Sequence, residues 1–344
     1  NHRNMPFSTY KRKLLLTMKR LLIDATVVDH YSGALNKFDF REIKMNIKNK
    51  LKVVAGGFLA LTIQVACYAD EHHASTKSYK VTDISPSIKL LQGKGGNIGA
   101  LVGKQGILLV DDDYGEMSDA LVEAIQPLGG QDKLAYIINT HWHGDHTQGN
   151  KVLGHHAPIV AHDNVRQRLL TQQEIALFGM TTEPYPEVAL PSVTYHHKMN
   201  LYINDEQVQL IHLPGGHTDG DSIVHFKNSN VIHLGDHFFN GFFPFVDVQN
   251  GGNVVQMAKN LRGILDLIDE KTVIIPGHGP LADKADLVAF IEMLEGTSAE
   301  VKALKDKGLS LEKIQAKGLS SQWDSWTDGF LNTPMWIGIV YSSL

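Results

Sequence analysis

Cysteine is nearly absent from this chain of 344 residues; the single one is Cys67. No intrachain disulfide can form, and no thiolate cluster can hold a metal. Long apolar runs are missing too. The most apolar segment, Val53 to Ala66, has about 14 residues, short of the ~20 that span a bilayer. No Ser-, Pro- or Gly-rich linker divides the chain beyond it, so one folded domain is expected over 79–344. That part also lacks a basic excess. Residues 1–69 carry 12 Lys and Arg against 4 Asp and Glu, which leaves 20 basic and 33 acidic residues from Asp70 on, a formal charge of −13. Nucleic-acid binding rests on neutralised phosphates, so an acidic body argues against nucleic acid as the partner. With 43% hydrophobic and 20% charged residues, the composition is that of a globular protein and not a disordered one.

The basic residues that are present have a pattern. Met45-Asn-Ile-Lys48-Asn-Lys50-Leu-Lys52 precedes the apolar run, and Cys67-Tyr68-Ala69 closes it with small residues two apart. A charged start, a short apolar middle and a small-x-small end describe a secretory signal peptide over 45–69, and hence a periplasmic or secreted protein. Residues 1–44 then precede a segment that should be N-terminal. They are expected to be an extension foreign to the natural protein, with translation starting at Met45. Cys67 would tie the chain to a membrane only if it were lipidated, and Gln64 three residues before it fits that processing poorly.

Short apolar runs broken by glycine follow: Tyr79–Val81, Ile88–Leu91, Ile98–Val102 and Gly106–Val110. They read as successive strands ending in Asp111-Asp112-Asp113. Leu121, Val122 and Ile125 give Met117–Pro127 helical spacing, and Leu134–Asn139 reads as a buried strand. Ile159-Val160 is a further short strand, and Asp163 is placed to cap a helix running to Leu170. Thr171–Pro191, with three prolines, reads as an irregular loop long enough to be functional. Strands are expected at Ser192–His196, Asn200–Ile203, Gln207–Leu213, Ser222–Phe226, Val231–Leu234 and Thr272–Pro276. Helices are expected at Asn253–Leu267, Ala285–Leu294, Ala299–Lys307 and Leu311–Lys317. Strands followed by helix, twice over, suggest two packed sheets with helices outside.

The chemistry concentrates where strand Leu134–Asn139 ends, in Thr140-His-Trp-His-Gly-Asp-His-Thr-Gln-Gly-Asn150. Strand residues two apart share a face, so His141 and His143 can address one spot. Asp145 and His146 follow where the chain bends and can address a second. Imidazole and carboxylate at this density select a borderline-soft divalent metal. Three more candidates stand just after expected strands and beside glycines that permit close backbone approach: His217 in Gly215-Gly-His-Thr-Asp-Gly-Asp221, Asp236 in His233-Leu-Gly-Asp, and His278 in Pro276-Gly-His-Gly-Pro280. The other histidines, among them His155, His156, His162, His196, His197, His212, His225 and His233, are assigned to surface or strand positions. His237, next to a candidate ligand, is a weaker lining residue. Phe238 to Phe245 holds five Phe in eight residues, too apolar for an exposed loop; it either walls a substrate pocket or packs beneath the core.

Together these motifs, in this order over about 140 residues, resemble the metallo-β-lactamase superfamily of metallohydrolases. The resemblance implies an α+β fold, a four-layer αββα sandwich with a dinuclear site at one edge of two sheets. It implies two Zn2+ per chain: His141, His143 and His217 on the first, Asp145, His146 and His278 on the second, and Asp236 bridging, as in the glyoxalase-II-like members. Two such ions would make hydroxide available at neutral pH and polarise a scissile carbonyl, with Asp145 both ligating and orienting that hydroxide. Asp111 is the candidate to fix the tautomer of a ligating histidine. His143 stands where the flavodiiron branch has Glu, which favours zinc over a redox di-iron site. Asp236 stands where the best-known β-lactamase branch has Cys, which argues against that branch.

The expected activity is therefore zinc-dependent hydrolysis of a small-molecule carbonyl substrate: an ester, lactone, thioester or β-lactam. Its competitors are a Cys-free β-lactamase proper, a sulfuric- or phosphoric-ester hydrolase, a mononuclear iron persulfide dioxygenase, and a zinc-binding scaffold without turnover. Fold does not choose among them. The leader expectation is open to a direct measurement. N-terminal sequencing of the protein from its natural source should find a start at or just after Asp70, and a mature chain beginning before Met45 overturns it.

Overall fold

The computed structural model describes residues 77–344; the expected extension, the signal peptide and Cys67 lie outside the described residues. The first sheet begins as an antiparallel meander of β1 (Lys80–Asp83), β2 (Ile88–Gln92), β3 (Ile98–Gly103) and β4 (Gly106–Val110). Helix α1 (Ser118–Ile125) then crosses over to β5 (Leu134–Ile138), which pairs parallel with β4. Two single-turn helices, α2 (Gly144–Thr147) and α3 (Asn150–Leu153), lead to β6 (Ile159–His162). After α4 (Asp163–Leu169) the chain forms a separate small hairpin, β7 (Gln173–Ile175) with β8 (Met180–Thr182), before β9 (Val193–Tyr195) completes the first sheet beside β6.

The second sheet repeats the plan. A meander of β10 (Lys198–Ile203), β11 (Glu206–His212), β12 (Ser222–Phe226) and β13 (Val231–His233) is followed by α5 (Val254–Ile264), and β14 (Val273–Ile275) then adds parallel to β13. Helices α6 (Lys284–Asp306), α7 (Leu311–Lys317) and α8 (Thr333–Ser343) end the chain.

Period-two alternation sorts the strand side chains into three buried spaces. Ile88, Leu108, Val110 and Ile138 of the first sheet meet Val208, Leu210, Val224 and Phe226 of the second. The opposite residues of the first sheet, Ile98, Ile107 and Ile137, pack on Leu121 and Ile125 of α1. The opposite residues of the second, Ile223, Ile232 and Ile274, pack on Leu261 of α5, Phe290 of α6 and Trp336 of α8. Three apolar spaces between four layers are the expected αββα sandwich.

Four local expectations need correction. Helix α6 is continuous where a break had been expected around Gly296. A Cβ there would come within 2.3 Å of the Trp323 ring, so this glycine admits a packing partner and does not end the helix. The cap of α4 is His162, whose Nδ1 accepts from the Asn164 N–H at 3.2 Å; β6 runs directly into the helix, so Asp163 is already its first residue. Thr171–Pro191 contains the hairpin β7–β8 where an irregular loop had been expected. Helix α8 was not anticipated at all: its sequence is apolar on nearly every side, without the one-sided stripe that marks a surface helix.

Phe226 is fully buried between the sheets. Phe226→Ala should cost about 3–5 kcal/mol of unfolding free energy by chemical denaturation, whereas Tyr202→Ala, at a position 73% exposed on β10, should change it by no more than about 0.5 kcal/mol.

Candidate metal centre

All seven candidate residues meet at one edge of the sandwich, where β5, β13 and β14 end and where β11 turns into β12. The loops are drawn together by main-chain bonds: the Gly277 N–H donates to the carbonyls of Gly235 and Phe238 at 2.8 and 3.0 Å, and the Asn97 N–H to Gly277 at 2.8 Å. Two glycines are required by space. A Cβ on Gly277 would lie 2.0 Å from Oδ1 of Asp236, and one on Gly96 would lie 2.1 Å from the His146 ring.

The residues fall into two groups, His141, His143, His217 and Asp236 in one, and Asp145, His146 and His278 in the other, each with its ligand atoms within 4.8 Å of one another. Most of the imidazoles are held from behind. His141 Nδ1 donates to the Thr140 hydroxyl at 3.1 Å, and that hydroxyl donates to Asp111 at 2.8 Å. His143 donates from Nε2 to Asp247 at 3.1 Å, His217 from Nδ1 to the Phe245 carbonyl at 2.8 Å, and His146 from Nδ1 to Asp111 at 2.7 Å. These partners set the tautomers. The other ring nitrogens all point inward: His141 Nε2, His143 Nδ1, His217 Nε2 and His146 Nε2.

That arrangement fits a cation. His143 Nδ1 and His217 Nε2 face each other at 2.8 Å as two lone pairs, and His141 Nε2 is buried without a hydrogen-bond partner. Oδ2 of Asp236 lies 3.3 Å from His217 Nε2 and 3.8 Å from His141 Nε2, while its Oδ1 lies 3.0 Å from His146 Nε2. One carboxylate thus offers an oxygen to each group. His278 Nε2 is 3.2 Å from Asp145, and its ring stacks on Phe239 with centroids 5.0 Å apart.

Electrostatics divide the groups. Burial draws His217 down to about 4 and, with the charge on His146, carries His141 well below the usual range. Burial opposes charge on His278 and His146 as well, but there Asp236 and Asp145 prevail; His278 rises to about 9 and His146 well above its ordinary value. Asp145 falls to about 2, because His146 and His278 outweigh its burial. A metal at the second group must therefore displace protons, and its affinity there rises with pH.

The remaining expectations separate cleanly. Asp111 does orient a candidate ligand, and it reaches the second group directly and the first through Thr140. Asp247 had no sequence signal; it stands over 100 residues from His143 and follows no motif. His162, His225 and His233 are buried strand residues, and His233 spends both ring nitrogens on the main chain, at Asn97 and Gly235. His237 is buried behind Gly216, bonded to Asn260 at 3.2 Å, and does not line the cavity. The Phe run does both things expected of it: Phe238 and Phe243 pack in the core, whereas Phe239 and Phe245 also wall a cavity of about 370 Å³ in front of the site. Lys94, Tyr114 and Gln148 form its polar side. Burial and then the charge of Asp145 push the Tyr114 phenol up to about 12, so it stays protonated at neutral pH and can donate a hydrogen bond.

A family model described as the metallo-beta-lactamase superfamily matches residues 93–283. A probable metallo-hydrolase of Methanocaldococcus jannaschii is 26% identical over 199 residues, 56% of this chain and 91% of its own length. Among solved structures, a metallo-beta-lactamase from Pontibacter korlensis aligns with a TM-score of 0.51 at 17% identity, over 63% of this chain and 99% of its own. A sec-alkylsulfatase from a Pseudomonas species aligns with a TM-score of 0.58 at 17% identity, over 76% of this chain but 50% of its own. At such identities the likeness is one of fold.

Removing the outer partners should loosen the metal. Asp247→Ala and Asp111→Ala should each weaken metal binding by about 10–100-fold in competition with a chromophoric chelator, because Asp247 holds a ligand of the first group and Asp111 reaches both groups. Unchanged affinity in both variants would show that these contacts do not position ligands.

Proposed function

Because the chain belongs to the metallo-beta-lactamase superfamily, we propose that it is an exported hydrolase that holds two zinc ions and cleaves a small carbonyl substrate: an ester, lactone, thioester or β-lactam. The observation that carries this reading is the convergence of inward-facing imidazole nitrogens from both groups on one carboxylate, Asp236. His141, His143 and His217 would hold one ion, Asp145, His146 and His278 the other, and Asp236 both. Imidazole and carboxylate without thiolate suit zinc, which when bound supplies an acidified water and a Lewis-acid pull on a carbonyl. Export rests on the leader-like segment 45–69, and the partner is a small molecule sized to the cavity.

The side chains around the cavity divide the remaining work. Asp145, ionised and partly open to the cavity, accepts a hydrogen bond from the attacking water and orients it. Tyr114, which lines the same cavity and is protonated, donates a hydrogen bond to the leaving group as its bond to the carbonyl carbon breaks. Asp112 stays out of the chemistry; it is fully buried beside Asp111, and burial followed by the Asp111 charge raises it well above the usual carboxylate range.

Chelation should abolish hydrolysis of a carbonyl substrate, and two equivalents of zinc should restore it. Asp145→Ala should lower kcat by at least about 10³-fold, as loss of a metal ligand together with a water-orienting group, and Tyr114→Phe by about 10–100-fold with little change in KM. Two tightly bound zinc ions without turnover of any member of a panel of ester, lactone, thioester and cephalosporin would overturn the proposal.

A further inference from the structure

The cavity wall opposite Lys94 and Tyr114 is a continuous aromatic arc built from three distant segments. It starts at Phe245, whose ring lies 5.8 Å from His143 and 5.7 Å from His217. It passes to Phe178 at the turn of the β7–β8 hairpin at 4.9 Å, and to Phe330 before α8 at 6.2 Å. It returns through Phe239 at 6.1 Å, which stacks on His278. Ile175 and Met180 fill the hairpin side. The arc thus joins residues of the first group to a residue of the second, so a molecule lying along it passes in front of both.

The outer part of the arc is open to solvent. Phe178, Met180 and Phe330 are 39%, 45% and 51% exposed, and neighbouring Leu177 is 44% exposed. Single exposed apolar residues need no explanation, but several gathered at the mouth of one cavity mark a surface that an apolar ligand covers. On the polar wall the exposed Lys94 ammonium pairs with Glu116, which Lys77 also reaches. The volume, about 370 Å³, is at the small end of ligand pockets.

Resting on the hydrolase reading above, we propose that the substrate is a carbonyl compound with a medium-length alkyl or aryl acyl group that lies along this arc, and that Phe178 and Phe330 set the preference for it. Each methylene buried on the arc improves binding by about fourfold until the wall is filled, whereas a short acyl group reaches only the metal centre and gains nothing from the rim.

The test pairs turnover with binding. On the zinc-loaded full chain, kcat/KM for 4-nitrophenyl octanoate should exceed that for the acetate by at least about tenfold, as two or more buried methylenes require. Phe178→Ala and Phe330→Ala should each reduce that ratio by about tenfold, and Phe330→Leu should recover most of it. A ratio near one in the wild type, or one insensitive to both alanine variants, overturns the proposal. Separately, calorimetry on the zinc-loaded full chain should find 4-phenylbutan-2-one, which cannot be hydrolysed, binding at least about tenfold tighter than acetone, with the margin lost in Phe330→Ala. If no ester is turned over but the ketone binds in this way, the hydrolase reading fails and the arc stands. If the aryl ketone binds no better than acetone, the arc fails whatever the enzyme hydrolyses.

Discussion

One buried carboxylate, that of Asp111, ties the scaffold to the chemistry. It stands at the end of β4 with a left-handed backbone (φ 66°), a conformation that non-glycine residues keep only where their surroundings compel it. Its oxygens accept the Thr140 N–H and hydroxyl at 2.8 Å each and the His146 ring at 2.7 Å. The same bonds close β4 onto the end of β5, aim His146 at the second group and, through Thr140, aim His141 at the first. Asp113, two residues on and also left-handed, accepts the N–H groups of Lys94 and Gly95 at 3.1 and 2.8 Å. It thereby fixes the turn that runs past His146. A few carboxylates at one strand end hold most of the surrounding loops.

The rest of the molecule makes such an arrangement affordable. Polar groups buried at this density need partners, and on the outer side of the ligand ring these are Thr140, Asp247 and the Phe245 carbonyl. Behind them, three close-packed apolar spaces keep the loops from relaxing. In front, the wall turns apolar again, and the hairpin β7–β8, a two-stranded unit that is marginal by itself, leans its side chains over the entrance. The centre is therefore rigid where metals would sit and open where a substrate would enter.

Most of the sandwich can be read from the chain because each sheet is built from neighbours in sequence. Meanders with tight turns leave period-two alternation and glycine breaks, and α1 and α5 leave a stripe. What escapes such reading has a common cause: its pattern is set by a partner distant in sequence. Gly296 looks like a helix end and is a slot for Trp323. Helix α8 is apolar on most sides because it is sandwiched. The hairpin hides among prolines, and the exposed Phe330 carries no local signal that it faces Phe178.

The candidate site divides along the same line. Seven potential ligands are legible in the chain because metal chemistry demands rare residue types at strand ends beside glycine, and that demand is local. The signature of the metallo-beta-lactamase superfamily follows from it. Which nitrogen of each histidine turns inward, that Asp247 stands behind His143, and that phenylalanines from three distant segments make one wall were decided only in three dimensions. Hydrogen-bond partners and ring contacts depend on distances across the fold, and no spacing along the chain encodes them.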